Sequence, residues 1–274
     1  MASWFERGRG LAVGVLVGAL TLGSGAPHLI RAFGEPRWQV VLLSASVLAL
    51  TAGVVILPVA TGPFASASPP LDLRWAINAL RDTPMRLANI GYLGHMRELY
   101  ALWTWLPAYL AAARGAGPQT DVVAFVSIGV AGMLGAVSAG LLADRVGRTA
   151  TTIAAMGVSG ACALLSAAVF DAPGVVVVTF VVVWGFAVIA DSAQFSVAVS
   201  ELTDPRYIGT ALTLQTAMGF LLTVVSIRLV GGLGATWGWR WAFVLLSVGP
   251  AIGIFAMWRL RRHPAAARLA GGAR

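Results

Sequence analysis

Eight apolar runs, each long enough to cross a bilayer, follow one another along this chain, at roughly 10–32, 38–60, 87–111, 120–142, 150–170, 173–199, 208–231 and 239–259. A helix rises about 1.5 Å per residue, so about 20 apolar residues span the hydrocarbon layer. Backbone polar groups find no water there and must satisfy one another, which makes each run a helix. Of the 274 residues, 58% are hydrophobic and 11% are charged, where soluble domains carry about 25% charge. The expected fold is an all-α membrane protein of about eight transmembrane helices, and an even number puts both termini on one side.

The runs are not independent. Arg37-Trp38-Gln39-Val40-Val41-Leu42-Leu43-Ser44 matches Arg240-Trp241-Ala242-Phe243-Val244-Leu245-Leu246-Ser247. One run earlier, Arg7-x-x-Gly10-x-Ala12 has the form of Arg206-x-x-Gly209-x-Ala211. The first two helices therefore correspond to the last two. Repeats of hydrophobic helices build secondary transporters, with the solute site between the halves. Counted this way the chain is two helices plus six, with four helices expected ahead of Met1 in a symmetric parent. The expected organisation is 1–60 as the last two helices of an N-terminal half, 61–86 as a linker, 87–261 as a six-helix C-terminal half, and 262–274 as a basic tail. Within the linker, Asp72 can cap a short surface helix with Leu73, Ile77 and Leu80 on one face.

Every basic residue is Arg. With alternating sides, Arg7, Arg9, Arg145, Arg148, Arg206 and the cluster Arg259, Arg261 and Arg262 share one side, while Arg31, Arg37, Arg114 and Arg240 lie on the other. By the positive-inside rule the rich side is cytoplasmic, with both termini, in a bacterial-type inner membrane. The Arg residues thus serve topology, and nucleic acid is not an expected partner. The first thirty residues also fit a secretory signal, but their match to an internal helix favours a retained span. Cys162 is the lone cysteine and three His are scattered, so no cofactor, metal site or enzymatic centre is expected.

The fourth run ends Gly140-Leu141-Leu142-Ala143-Asp144-Arg145-Val146-Gly147-Arg148. Gly140, Asp144, Arg145, Gly147 and Arg148 resemble the loop signature G-x-x-x-D-R-x-G-R of the major facilitator superfamily. That resemblance implies a twelve-helix fold, of which this chain would supply helices 5–12, working by alternating access. It also implies that Asp144 accepts backbone hydrogen bonds at a neighbouring helix N-terminus, here near residues 8–11, where the helix dipole favours an anion. The bland alternative is a solvated positive loop. Small-residue stripes at Gly10, Gly14 and Gly18 and at Gly132, Ala136 and Gly140 suit close helix packing.

The third run carries His95, Arg97 and Glu98 near mid-membrane. Ionisable groups there cost about 2.5–3.5 kcal/mol each and commonly mark pathways or proton relays. His95 and Glu98 share one face; Arg97 points elsewhere, toward either a solute or a structural partner. The sixth run carries Asp191 and Gln194, with Trp184 on their face, and the seventh carries Gln215 and Arg228, the latter able to snorkel outward. The resemblance implies that the third and sixth runs line a central cavity. Residues 91–105 are also similar to facilitators described as cyanate or nitrite and nitrate transporters. The expectation is proton-coupled transport of a small polar or anionic solute by a longer parent, with His95, Arg97, Glu98, Asp191, Gln194, Gln215 and Arg228 along the pathway. Expected partners are the solute, protons, the lipid bilayer, and the missing helices or another subunit. The rival reading is a non-transporting membrane interaction or regulatory protein on the same fold.

Overall fold

A computed structural model describes residues 4–5, 8–34, 36–60, 62–64, 75 and 79–273. Eight long helices account for almost all of them: α1 (Arg9–Ala32), α2 (Trp38–Ile56), α3 (Thr83–Arg114), α4 (Pro118–Val146), α5 (Arg148–Val169), α6 (Gly174–Leu202), α7 (Ile208–Trp237) and α8 (Trp239–Arg262). Local chemistry explains several boundaries. The Asp82 carboxylate accepts from Met85 N at 3.2 Å and Pro84 sits in the first turn, so α3 starts there. Gly147, at φ 102°, takes a conformation that side chains disfavour and is the single residue between α4 and α5. Of Asp72, Leu73, Ile77 and Leu80, the surface-helix residues, only Leu80 is described; Arg7 also lies outside the described residues.

Seven of these helices are apolar enough by composition to cross a membrane, and α3 is the exception. Its position removes the conflict. α3 packs on α6, α7 and α8, and His95 and Glu98 are 1% exposed. A helix shielded by other helices need not be apolar all round.

α3 through α8 form one bundle whose apolar interior is split in two. One cluster gathers Leu102, Tyr109, Ile128, Val181, Trp184 and Phe243. The other gathers Tyr92, Met96, Met156, Phe195, Met257 and Leu269, toward the end where Arg148 and Arg259 lie. Between them, in sequence order on each helix, fall Glu98, Ser159 and Asp191. A polar layer therefore separates two oily ones.

α1 docks lengthwise on α4. Its buried residues are Gly10, Gly14, Gly18, Thr21 and Gly25, one narrow stripe. The fit is backbone to backbone: a Cβ at Gly14 would meet the Ala136 carbonyl oxygen at 2.6 Å. Thr21 Oγ1 spans the seam to Gly129 O at 3.3 Å, opposite the π-helical turn Val126–Ala131 of α4. α2 is different. It buries none of its residues, and Leu42, Leu43, Leu48, Leu50 and Val54 all stand open.

Candidate functional site

Two polar clusters sit at different depths. The deeper one occupies the layer between the apolar clusters. His95 Nδ1 lies 2.8 Å from Asp191 Oδ1, with both side chains almost fully enclosed. One turn along α3, Glu98 accepts from Trp184 Nε1 at 2.8 Å through one carboxylate oxygen and from Ser159 Oγ at 3.0 Å through the other. Phe195 and Tyr92 close over the imidazole, with ring centroids 5.7 and 6.2 Å away. His95 Nε2 is buried and has no hydrogen-bond partner among the described residues.

Asp191 stands at an interruption of α6, with its own backbone still near helical at φ −86° and ψ −17°. The helix runs Gly174–Ala190, breaks at Asp191, and resumes as Ser192–Leu202. Transporter ion sites are commonly built at discontinuous helices.

The second cluster sits at the Arg-rich end. Asp144 accepts from Gly10 N and from Leu11 N, each at 3.1 Å, which places its charge on the N-terminus of α1. Arg148, one turn later and 2% exposed, holds Asp144 Oδ1 at 2.6 Å, Gln194 Oε1 at 3.2 Å and Glu201 Oε1 at 3.0 Å. Glu201 in turn accepts from Ala270 N at 3.0 Å, in the tail that follows α8. Ala266 and Leu269 of that tail are fully buried. Gly140 admits the contact, since a Cβ there would meet Gly10 O at 2.5 Å. α1, the α4–α5 turn, α6 and the C-terminal tail are thus joined by one chain of charged and backbone groups.

The structure sorts the sequence-derived residues differently from the expected single pathway. His95, Glu98 and Asp191 come together, and Ser159 joins them, a serine that nothing in the sequence set apart. Gln194 belongs instead to the cluster at the Arg-rich end, because three residues of helix carry it about 4.5 Å along the axis from Asp191. Arg97 leaves the group: its Nη1 donates to Leu245 O at 3.2 Å on an exposed flank. Arg228 is exposed on α7, opposite the face that buries Gln215, Gly219 and Ser226. Gln215 is fully buried, and its amide has no hydrogen-bond partner among the described residues. Arg145 is exposed. Glu201 was not anticipated; its signal was the continuation of the Asp191–Gln194 face by two further turns of α6.

A profile of the Major Facilitator Superfamily matches residues 1–226 and, in a second overlapping match, 100–274. The chain belongs to the major facilitator superfamily. Among characterised sequences it is similar to the putative metabolite transport protein YyaJ of Bacillus subtilis, 28% identical over 208 residues, which is 74% of this chain and 45% of that protein. The chain thus spans under half the length of that relative. Among solved structures, its fold matches a crystal structure of a bacterial homologue of the iron transporter ferroportin in an outward-facing state. The TM-score is 0.60 at 12% identity, covering 96% of this chain and 85% of the other. As a superfamily member, the chain is a multi-pass helical membrane protein.

Proposed function

We propose that this facilitator chain takes part in membrane transport of a small polar or anionic solute by alternating access, coupled to protons, with a further helical bundle docked on α1 and α2. The observation that carries the reading is the enclosed layer of Glu98, His95 and Asp191. Three ionisable side chains in a shielded membrane layer are costly to keep, and a carboxylate held by two neutral donors can take up and release a proton without losing its hydrogen bonds. By the positive-inside rule the Arg-rich end is cytoplasmic. Asp144, Arg148 and Glu201 then tie α1 to the bundle on the cytoplasmic side, a contact that opening on that side would break. The anionic class rests on the likeness of residues 91–105 to cyanate and nitrite or nitrate facilitators.

A second reading follows from α2. A 19-residue helix with no buried residue also suits a membrane protein that binds another and moves no solute.

One experiment separates the two. Proteoliposomes carrying the chain alone should show no flux of small anions above empty vesicles. Vesicles carrying the chain together with the docked helical bundle proposed above should show flux that grows with an imposed pH gradient, and that loses its pH response in Glu98→Gln. Flux with an unaltered pH response in that variant removes Glu98 from the mechanism. No flux from either preparation favours the interaction reading.

A further inference from the structure

Gln194 stands between the two polar clusters. Its Oε1 accepts from Arg148 Nη1 at 3.2 Å, while its Nε2 is buried and has no hydrogen-bond partner among the described residues. Asp191, three residues earlier, is in the reverse position. Its Oδ1 approaches His95 Nδ1 to 2.8 Å without the alignment of a hydrogen bond, so this buried oxygen also lacks a hydrogen-bond partner among the described residues. The turn between them is helical in its bonding, since Gln194 N and Phe195 N both donate to Asp191 O, at 3.0 and 3.4 Å. Side chains three apart on a helix are neighbours, and Gln with Asp is a pair that bonds at such spacing. An unspent donor and an unspent acceptor therefore share one buried face of α6, where idle polar groups are costly.

We propose that Gln194 is the positioning residue that couples the buried layer to the Arg148 cluster: when His95 releases Asp191, the Gln194 amide swings to the Asp191 carboxyl and gives up Arg148. The contact it leaves is the weakest of the three on Arg148. At 3.2 Å it is longer than those to Asp144 and Glu201, at 2.6 and 3.0 Å, and its acceptor is neutral where theirs are charged. Arg148 Nη1 serves Asp144 and Gln194 together, so a change at one partner reaches the other, and Asp144 holds the start of α1 through Gly10 N and Leu11 N. Beside Asp191 the ionisable groups are His95 and Glu98 of α3, with Tyr92 next to His95 and Cys162 of α5 near Glu98. Beside Gln194 they are Arg148 of α5 and, through it, Asp144 of α4 and Glu201 of α6. The buried faces of α1 and α7 carry none. α6 thus holds a two-state element whose balance both clusters bias. The inference concerns contacts within this chain and needs no solute, so an absence of flux would leave it standing.

The test uses the purified full chain in detergent at one pH, with hydrogen exchange at Gly10 and Leu11 read through a double-mutant cycle. His95→Ala should accelerate exchange there about tenfold, the worth of one hydrogen bond to a charged group. Gln194→Met, which removes an acceptor from Arg148, should do the same on its own. The two together should accelerate it no further than either alone. Asp191→Ala removes the competing acceptor, and in that background His95→Ala should be silent. If His95→Ala fails to fold, His95→Phe fills the space beside Phe195 and Tyr92 and takes its place in the cycle. Accelerations that multiply in the doubly substituted chain overturn the proposal, since the two sites would then act independently. Unchanged exchange in His95→Ala, or equal acceleration in the Asp191→Ala background, overturns it as well.

Discussion

Glu98 carries two kinds of consequence that substitutions can separate. Glutamine keeps an acceptor for Trp184 Nε1, and its amide can donate to Ser159 Oγ, so Glu98→Gln should leave thermal unfolding in detergent nearly unchanged. Alanine leaves both donors buried without a partner, and Glu98→Ala should cost about 2 kcal/mol or more, read as a lowered melting temperature. A proton-carrying residue and a purely structural one differ in the first variant: pH-driven uptake is lost only if the ionisable group matters. Sequence reasoning found His95, Glu98 and Asp191 because charge in an apolar run stands out against its surroundings. It left Arg97 and Arg228 open between the pathway and the periphery, since depth in the membrane can be read from position along the helix, while the direction a side chain faces depends on which helices happen to pack beside it.

Among the elements, α1 has the narrowest tolerance. Its glycine stripe brings two backbones together, so Gly14→Leu should lift α1 off α4. Spin labels at the exposed positions Leu20 and Leu134, in a Cys162→Ala background, should then show a longer and broader distance distribution. The stripe itself was legible, because small residues four apart on facing helices have few other uses in lipid. The C-terminal tail was not. Ending the chain after Arg262 removes buried Leu269 and the Ala270 N–H that Glu201 accepts. Hydrogen exchange at Gly10 and Leu11 should accelerate, since Glu201 steadies Arg148 and Arg148 steadies Asp144. Just ahead of α7, hydrogen bonding from Arg206 holds the exposed Asp204 carboxyl down at about 2. Its folded value lies below the usual one, so that contribution persists above the ordinary carboxylate range and is lost only as pH falls toward 2.

For the molecule as a whole, the uneven burial of the two leading helices is the main fact. α1 is seated, α2 is not, and a lipid-borne photoreactive probe should label α2 on all sides in the chain alone. Labelling confined to one side would mean that a partner is already present. The sequence repeat relates this pair to α7 and α8, which do find neighbours within the chain. Hydropathy, run length and charge asymmetry were sufficient to establish residence in the membrane, the number and order of helices, and the charged turn at Asp144, because each is a local property of a segment in a known solvent. Tertiary structure alone decided that His95 meets Asp191, that Gln194 and Glu201 share Arg148, that α6 breaks at Asp191, and that Arg97 faces outward. Those outcomes depend on how helices cross and at what height they meet, and that geometry is set by packing among segments far apart in the chain.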